Sequence, residues 1–174
     1  VLVVQTIEAC FITFSKSPIQ PMHFAFLFNW VQQPWLTQKW SRSILDRYYG
    51  YGISNAYLGD EDQGQMSAWF IMAALGLFQT DGGCSVNPVY EIASPLYPKV
   101  EIDLGNRYGR GRKFVIEAKN ASRLNKYVHS ATLNGQLLKD FKFSASELLN
   151  GGSLVLEMGA APNKNWGIKN NPSK

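Results

Sequence analysis

Over the first half of the chain the apolar positions recur at helical spacing. In PMHFAFLFNWV, residues 21–31, Phe24, Leu27, Phe28 and Val31 fall at i, i+3, i+4 and i+7, one stripe of an amphipathic helix. Pro34 interrupts it, because proline has no N–H to donate and disfavours helix at the residue before it. The period resumes in WLTQKWSRSILDRYYG, where Leu36, Trp40, Ile44 (or Ser43) and Arg47 share a side and Gly50 is a stop signal. After a loop over 50–63, GQMSAWFIMAALGLF places Met66, Trp69, Phe70, Ala73 and Leu77 on the same period. This third helix is apolar almost all round, which predicts packing on most sides.

Past residue 80 the pattern changes to short runs rich in Val, Ile and Tyr between turn residues. VYEI, KVEIDL, KFVIEA, YVHSATL and SLVLEM alternate in part and are spaced like the strands of a β-sandwich. Asn134-Gly135 is a two-residue hairpin signal, and SASELLNGG reads as one capped helical turn ending in glycine. The tail from Pro162 is polar except at Trp166. The expected class is α+β, with helices over 1–80 and an antiparallel, sandwich-like β-rich segment over 81–174.

Composition adds little to that order but narrows the function. Hydrophobic residues make up 45% and charged ones 17%, which excludes a disordered chain. Aromatic residues reach 13%; they serve a core, and exposed Trp or Tyr rings also stack on the C–H faces of sugars. The net charge is +4, and much of the excess lies in RYGRGRK, residues 107–113. Its glycines mark a turn between strands rather than a phosphate-binding face, so nucleic acid is not expected as a partner. Cys10 and Cys84 show neither metal spacing nor a CxxC motif, and their pairing stays open. The opening VLVVQTIEACFITF is too short to span a bilayer and carries Glu8 but no basic lead, so it does not read as a signal peptide. The abrupt start reads as that of a fragment.

The concentrated chemistry is Gly-Asp-Glu-Asp-Gln-Gly at 59–64: three of the 13 acidic residues stand side by side before a helix. Asp62 followed by Gln65 resembles a capping box, and acids there favour the helix's positive end. Asp-x-Asp also offers hard oxygens to calcium, without the full spacing of an EF-hand. General acid–base work is the third use, since a helix N-terminus favours the ionised carboxylate that a base needs. His23 stands beside an apolar stripe, where a structural histidine is the default, and His129 alternates within a strand. No Ser-His-Asp constellation can be read, because two histidines and many serines leave the pairing unconstrained, and nothing resembles a phosphate loop or a dinucleotide fingerprint.

QPMHFAFLFNWVQQPWLTQ, GDEDQGQMSAWFIMAALGLF, SPLYPKVEI, SATLNG and NGGSLVLEMG, in this order, resemble the C-terminal part of glycoside hydrolase family 92, calcium-dependent exo-acting α-mannosidases. The resemblance runs from about Pro21 to Gly167. It implies that residues 1–80 are the last helices of an (α/α)6 catalytic barrel, with the strands closing it. It further implies inverting hydrolysis of a terminal α-mannoside, assisted by calcium that grips the sugar hydroxyls. Asp62 matches the position of the base and Asp60 that of its companion; Glu61 has no assigned role. His23 and Gln20 match positions that bind substrate, although the family usually has Glu at Gln20, and often His where this chain has Ile19. Calcium ligands are not assigned. The general acid is a glutamate upstream of this region, so the fragment alone is expected to be inactive. The implied partners are a mannose-containing glycan and the remainder of the parent enzyme, at a secreted, periplasmic or cell-surface location. A non-catalytic carbohydrate-binding or structural support module is the alternative.

Overall fold

The computed structural model describes residues 23–50 and 64–168. Among the described residues three helices come first: α1 (Phe24–Trp30), α2 (Pro34–Tyr48) and α3 (Gln65–Leu75). Eight strands and one short helix follow: β1 (Leu77–Phe78), β2 (Val89–Ile92), β3 (Lys99–Asp103), β4 (Lys113–Lys119), β5 (Tyr127–Leu133), β6 (Gln136–Leu138), β7 (Lys142–Ser144), α4 (Ala145–Leu149) and β8 (Gly152–Gly159). The class is α+β, as the change of period near residue 80 indicates.

Local chemistry sets the boundaries. Pro34 occupies the first turn of α2, where its missing N–H costs nothing. Gln32, at φ 61°, reverses the chain ahead of it. Gly76 ends α3 in the left-handed region at φ 74°. A Cβ there would meet the Pro95 ring at 2.6 Å, so glycine is required by both backbone and packing. Helix α3 begins at Gln65 with Gly64 in the cap position and no side-chain cap. Gln65 is therefore a first-turn residue rather than the far partner of a capping box. The box that does form is the other one: Ser144 accepts from Ser146 N, and Glu147 accepts from Ser144 N at 3.0 Å.

The strands make two sheets. One is three-stranded, order β1-β2-β7, and wholly antiparallel; the other is five-stranded, order β3-β4-β8-β5-β6. Within the second sheet β4 and β8 run parallel, with Phe114 opposite Gly152 and Lys119 opposite Glu157, so it is mixed rather than purely antiparallel. The Asn134-Gly135 turn has positive φ at both residues, 50° and 80°, as a tight β5–β6 hairpin requires. Alternation puts Phe114, Ile116 and Ala118 of β4 and Leu154, Leu156 and Met158 of β8 inward. They pack with Phe141, Phe143 and Leu148 in the sandwich core, while Phe26, Leu45, Trp69, Ala73 and Ala93 form a second core among the helices.

The helices are fastened to the strands by buried polar groups, and this corrects the face expected of two of them. On α1 the buried residues are Ala25, Phe26, Phe28 and Asn29, not the Leu27 and Val31 edge. On α2 they include Thr37, Gln38, Ser41 and Arg42, while Arg47 is exposed. Apolar periodicity misses such a face because its buried side chains are there to meet backbone. Gln38 Oε1 accepts the N–H of Val128 at 3.0 Å, beside a β-bulge between Val128 and Ser130. Arg42 donates to the Pro95 carbonyl at 2.7 Å. Glu91 of β2, 1% exposed, accepts from Asn29 Nδ2 and Trp30 Nε1, both at 2.9 Å, and from the Thr80 hydroxyl. On α3 Met66, Trp69 and Ala73 are buried as expected, but Phe70 is half-buried, Leu77 lies beyond the helix in β1, and Ile71 stays 57% exposed, so that helix is not packed on most sides.

Candidate functional site

Of the residues expected at the site, Gln20, Asp60 and Asp62 lie outside the described residues, as do Ile19, Glu61 and Cys10. His23 is described. It stands exposed at the start of α1, its ring edge-on to Phe24 at 4.8 Å, and its carbonyl accepts the Phe26 N–H at 2.9 Å. Backbone pairing fixes its place at the helix start, and its side chain faces solvent.

What the fold supplies around the acidic segment is a neck. Tyr49, just past the end of α2, donates its hydroxyl to the Met66 carbonyl in the first turn of α3 at 3.0 Å. Its ring stacks on Trp69, 5.6 Å between centroids and 6° between planes, and tilts against Phe70 at 5.2 Å. The two flanks of residues 51–63 are therefore held together by the Tyr49 hydroxyl and by its ring contacts with Trp69 and Phe70. Trp69 in turn meets Phe26 of α1 at 6.3 Å, which links the neck to the helix that His23 precedes. The sequence reading missed Tyr49; its signal, an aromatic immediately before Gly50, looked like an ordinary helix end.

Beside the neck opens a cleft of about 540 Å³ between α2, α3 and the turns after β2 and β4. Tyr49, Gly50, Phe70 and Tyr97 line it, with Asp46 and Arg123 at its rim. Arg42 forms its buried wall, donating to Pro95 O and, at 3.4 Å, to Ser122 O. Burial pulls the Arg42 guanidinium below its usual pKa, opposed in part by the nearby Asp46 carboxylate. Cys84 is exposed in the turn after β1. Among the described residues no three His, Cys, Asp or Glu side chains stand together as a metal site, and no helix is long and apolar enough to cross a membrane.

Similarity to known proteins is strong along most of this architecture. A family GH92 α-mannosidase from Bacteroides thetaiotaomicron is 30% identical at a TM-score of 0.76, over 85% of this chain and 19% of its own. A family GH92 inverting mannosidase from the same organism is 36% identical at a TM-score of 0.75, over 86% of this chain and 19% of its own. A curated relative, an uncharacterized secreted glycosidase of Arthroderma benhamiae, is 26% identical over 148 residues, 84% of this chain and 18% of its own. The chain thus spans about a fifth of the length of these relatives. Since the model of the glycosyl hydrolase family 92 catalytic domain matches residues 17–160, from before α1 through β8, the chain belongs to that family.

Proposed function

We propose that this chain is the C-terminal part of an exo-acting α-mannosidase that removes terminal α-linked mannose from glycans with inversion. The family membership supports the reaction class, and the observation that carries the site is the neck: Tyr49 and Met66 bring the flanks of the Gly-Asp-Glu-Asp segment to one place. In this reading Asp62 is the base that activates water and Asp60 assists it. His23 and Gln20 contact the sugar. The 1–80 helices belong to an (α/α)6 barrel, and the strands buttress it.

Inversion needs two carboxyl groups roughly 6.5–9.5 Å apart, so that a water fits between base and anomeric carbon while the acid protonates the leaving oxygen. The second carboxyl group belongs to a glutamate elsewhere in the parent polypeptide, so hydrolysis is expected of the parent and not of these 174 residues alone. Calcium is proposed to sit among residues outside the described set, where it would grip hydroxyls of the bound sugar. Secretion or export to the cell surface fits an enzyme of glycans, and one relative is named a secreted glycosidase.

The test is Asp62→Asn in the parent enzyme. Loss of a positioned base is expected to cut kcat on an aryl α-mannoside by about 10²–10⁴-fold with an unchanged melting temperature. Near-normal turnover would overturn the assignment of the base, and no mannose release by the unaltered enzyme would overturn the activity.

A further inference from the structure

The basic run RYGRGRK takes no part in the chemistry above, and it forms the apex of the β3–β4 hairpin. Residues 105–110 are all exposed, and the Tyr108 ring is 94% exposed. Among the described residues the apex is tied by two bonds. Arg110 N donates to Arg107 O at 3.0 Å, and Gly105 N to Asp103 Oδ1 at 2.8 Å. Asn106 and Tyr108 take left-handed backbone at φ 48° and 56°. That conformation is strained for a bulky residue such as tyrosine, so opening the apex relieves it. Arg107 forms no ion pair among the described residues, which leaves its guanidinium free at the surface.

A protease cuts a segment drawn into its cleft as an extended strand, so the bonds flanking the scissile peptide must open first. The chain's other arginines are held more firmly. Arg42 and Arg47 lie in helix α2. Beyond Arg110, Gly111 N donates to Leu149 O at 2.7 Å, and a Cβ on Gly111 would come within 2.0 Å of Asn150 O. Arg112 O accepts from Leu104 N at 2.9 Å, and Lys113 already pairs with Asp103 in the strand ladder. The turn around Arg123 is laced on both sides. Asn125 N donates to Ser122 Oγ and Asn125 Nδ2 to Asn120 O, both at 2.9 Å, and Lys126 N to Leu124 O at 3.0 Å. Ser122 N also donates to Asn125 O, and Arg42 to Ser122 O, both at 3.4 Å. A hydrogen bond of ordinary strength lowers the open fraction about fivefold, so the added bonds slow cutting at Arg123 by about tenfold or more.

We propose that the β3–β4 turn is a proteolytic processing site, cut first at the Arg107–Tyr108 bond, and that the two pieces stay assembled. The partner is a serine protease whose specificity pocket carries a carboxylate, which an arginine guanidinium fits. One water is consumed. The C–N bond breaks, the Arg107 carbonyl carbon gains the oxygen as a carboxylate, and the Tyr108 nitrogen becomes an ammonium. The contacts that cross the cut remain: β3 pairs with β4 from Lys99↔Glu117 to Asp103↔Lys113, and β2 with β7 from Val89↔Ser144 to Glu91↔Lys142. Glu101 of β3 still holds Lys113 of β4 at 2.7 Å, and Gln38 of α2 still accepts the Val128 N–H of β5. This site is independent of the activity proposed above.

The experiment exposes the folded parent polypeptide to a low dose of an arginine-specific protease and identifies the products by N-terminal sequencing and intact mass. Among cuts at this chain's arginines, the first is expected to create a new N-terminus at Tyr108, about tenfold or more ahead of one at Leu124. Arg107→Gln is expected to slow the first cut in this chain about tenfold, and Arg123→Gln to leave it unchanged. The two pieces are expected to co-elute in size-exclusion chromatography and to part only in denaturant. A first cut after Arg110, Arg112 or Arg123 overturns the site, as does a rate that Arg107→Gln does not change. So does a folded parent that resists at all these bonds while its urea-unfolded form is cut at them. Pieces that separate in native buffer overturn the assembled product.

Discussion

Glu91 sets up a comparison between two substitutions that differ only in what they leave unpaired. Its carboxylate accepts from Asn29 Nδ2, Trp30 Nε1 and the Thr80 hydroxyl, and Asn29 is fully buried. Glu91→Leu keeps most of the volume and strands all three donors. A buried donor left unmet costs about 1–3 kcal/mol, and Trp30, at 48% exposed, recovers part of its share from water. The sum is about 4 kcal/mol. Glu91→Gln is different, because Asn29 Oδ1 has no partner among the described residues. A half-turn of the Asn29 amide would present that oxygen to the new NH₂, while the Gln oxygen keeps Trp30 and Thr80. The expected cost of Glu91→Gln is about 1 kcal/mol, the usual scale of one exchanged hydrogen bond. At about 2–4 °C per kcal/mol for a chain of this size, Glu91→Leu should lower the melting temperature by about 8–16 °C and Glu91→Gln by a quarter of that. Thermal unfolding followed by circular dichroism reads the difference. If Gln is as damaging as Leu, the charge rather than the acceptor geometry holds α1 to the sheet, and the argument fails.

Two further outcomes follow from the structure and a third from the proposed reaction. Gly76→Ala combines a left-handed backbone with a 2.6 Å overlap on Pro95, whereas Gly135→Ala is strained at φ 80° but meets nothing within 4 Å. Urea titration should show Gly135→Ala costing about 1–2 kcal/mol and Gly76→Ala clearly more; equal costs would contradict the packing account. Lys113 and Lys99 both bond the Glu101 carboxylate and bring its pKa down to about 2. The stability it gives the β3–β4 hairpin is therefore complete above the ordinary carboxylate pKa and is lost as pH falls through about 2. An NMR titration of the Glu101 side chain that found an ordinary midpoint would refute this. Chelation with EDTA should abolish mannose release by the parent enzyme and added calcium restore it; activity indifferent to both would remove calcium from the proposed mechanism.

The sequence made the order of elements legible because strands β4 and β8 bury one face each, so their alternation is regular at Phe114, Ile116, Leu154 and Leu156. The turns were legible where backbone conformation demands a residue type, as at Asn134-Gly135. The helix faces were less so. Gln38, Arg42 and Asn29 are buried to meet Val128 N, Pro95 O and Glu91, and no apolar period reports a side chain placed for its hydrogen bond. Parallel pairing of β4 with β8 was equally hidden, since alternation specifies which face is inward and not which strand lies alongside. Of the expected site, His23 alone falls among the described residues. The neck and the cleft depend on Tyr49, Arg42, Tyr97 and Arg123 meeting across up to 81 positions of chain, an encounter no local motif encodes.

The placement of β8 has a bearing on how the chain is made. This strand enters between β4 and β5, in the middle of the larger sheet, yet it is the last of the described strands to leave the ribosome. Until Gly152–Gly159 is available, β4 and β5 each present an open row of N–H and C=O groups, and the inward faces of Phe114 and Ile116 lack Leu154 and Leu156. A parallel partner 38 positions away closes by a long crossover rather than by zipping from a turn, which is the slow kind of pairing. A nascent chain stopped just before Gly152 thus carries two sticky edges at once, and its hazard during synthesis is pairing with a neighbouring copy.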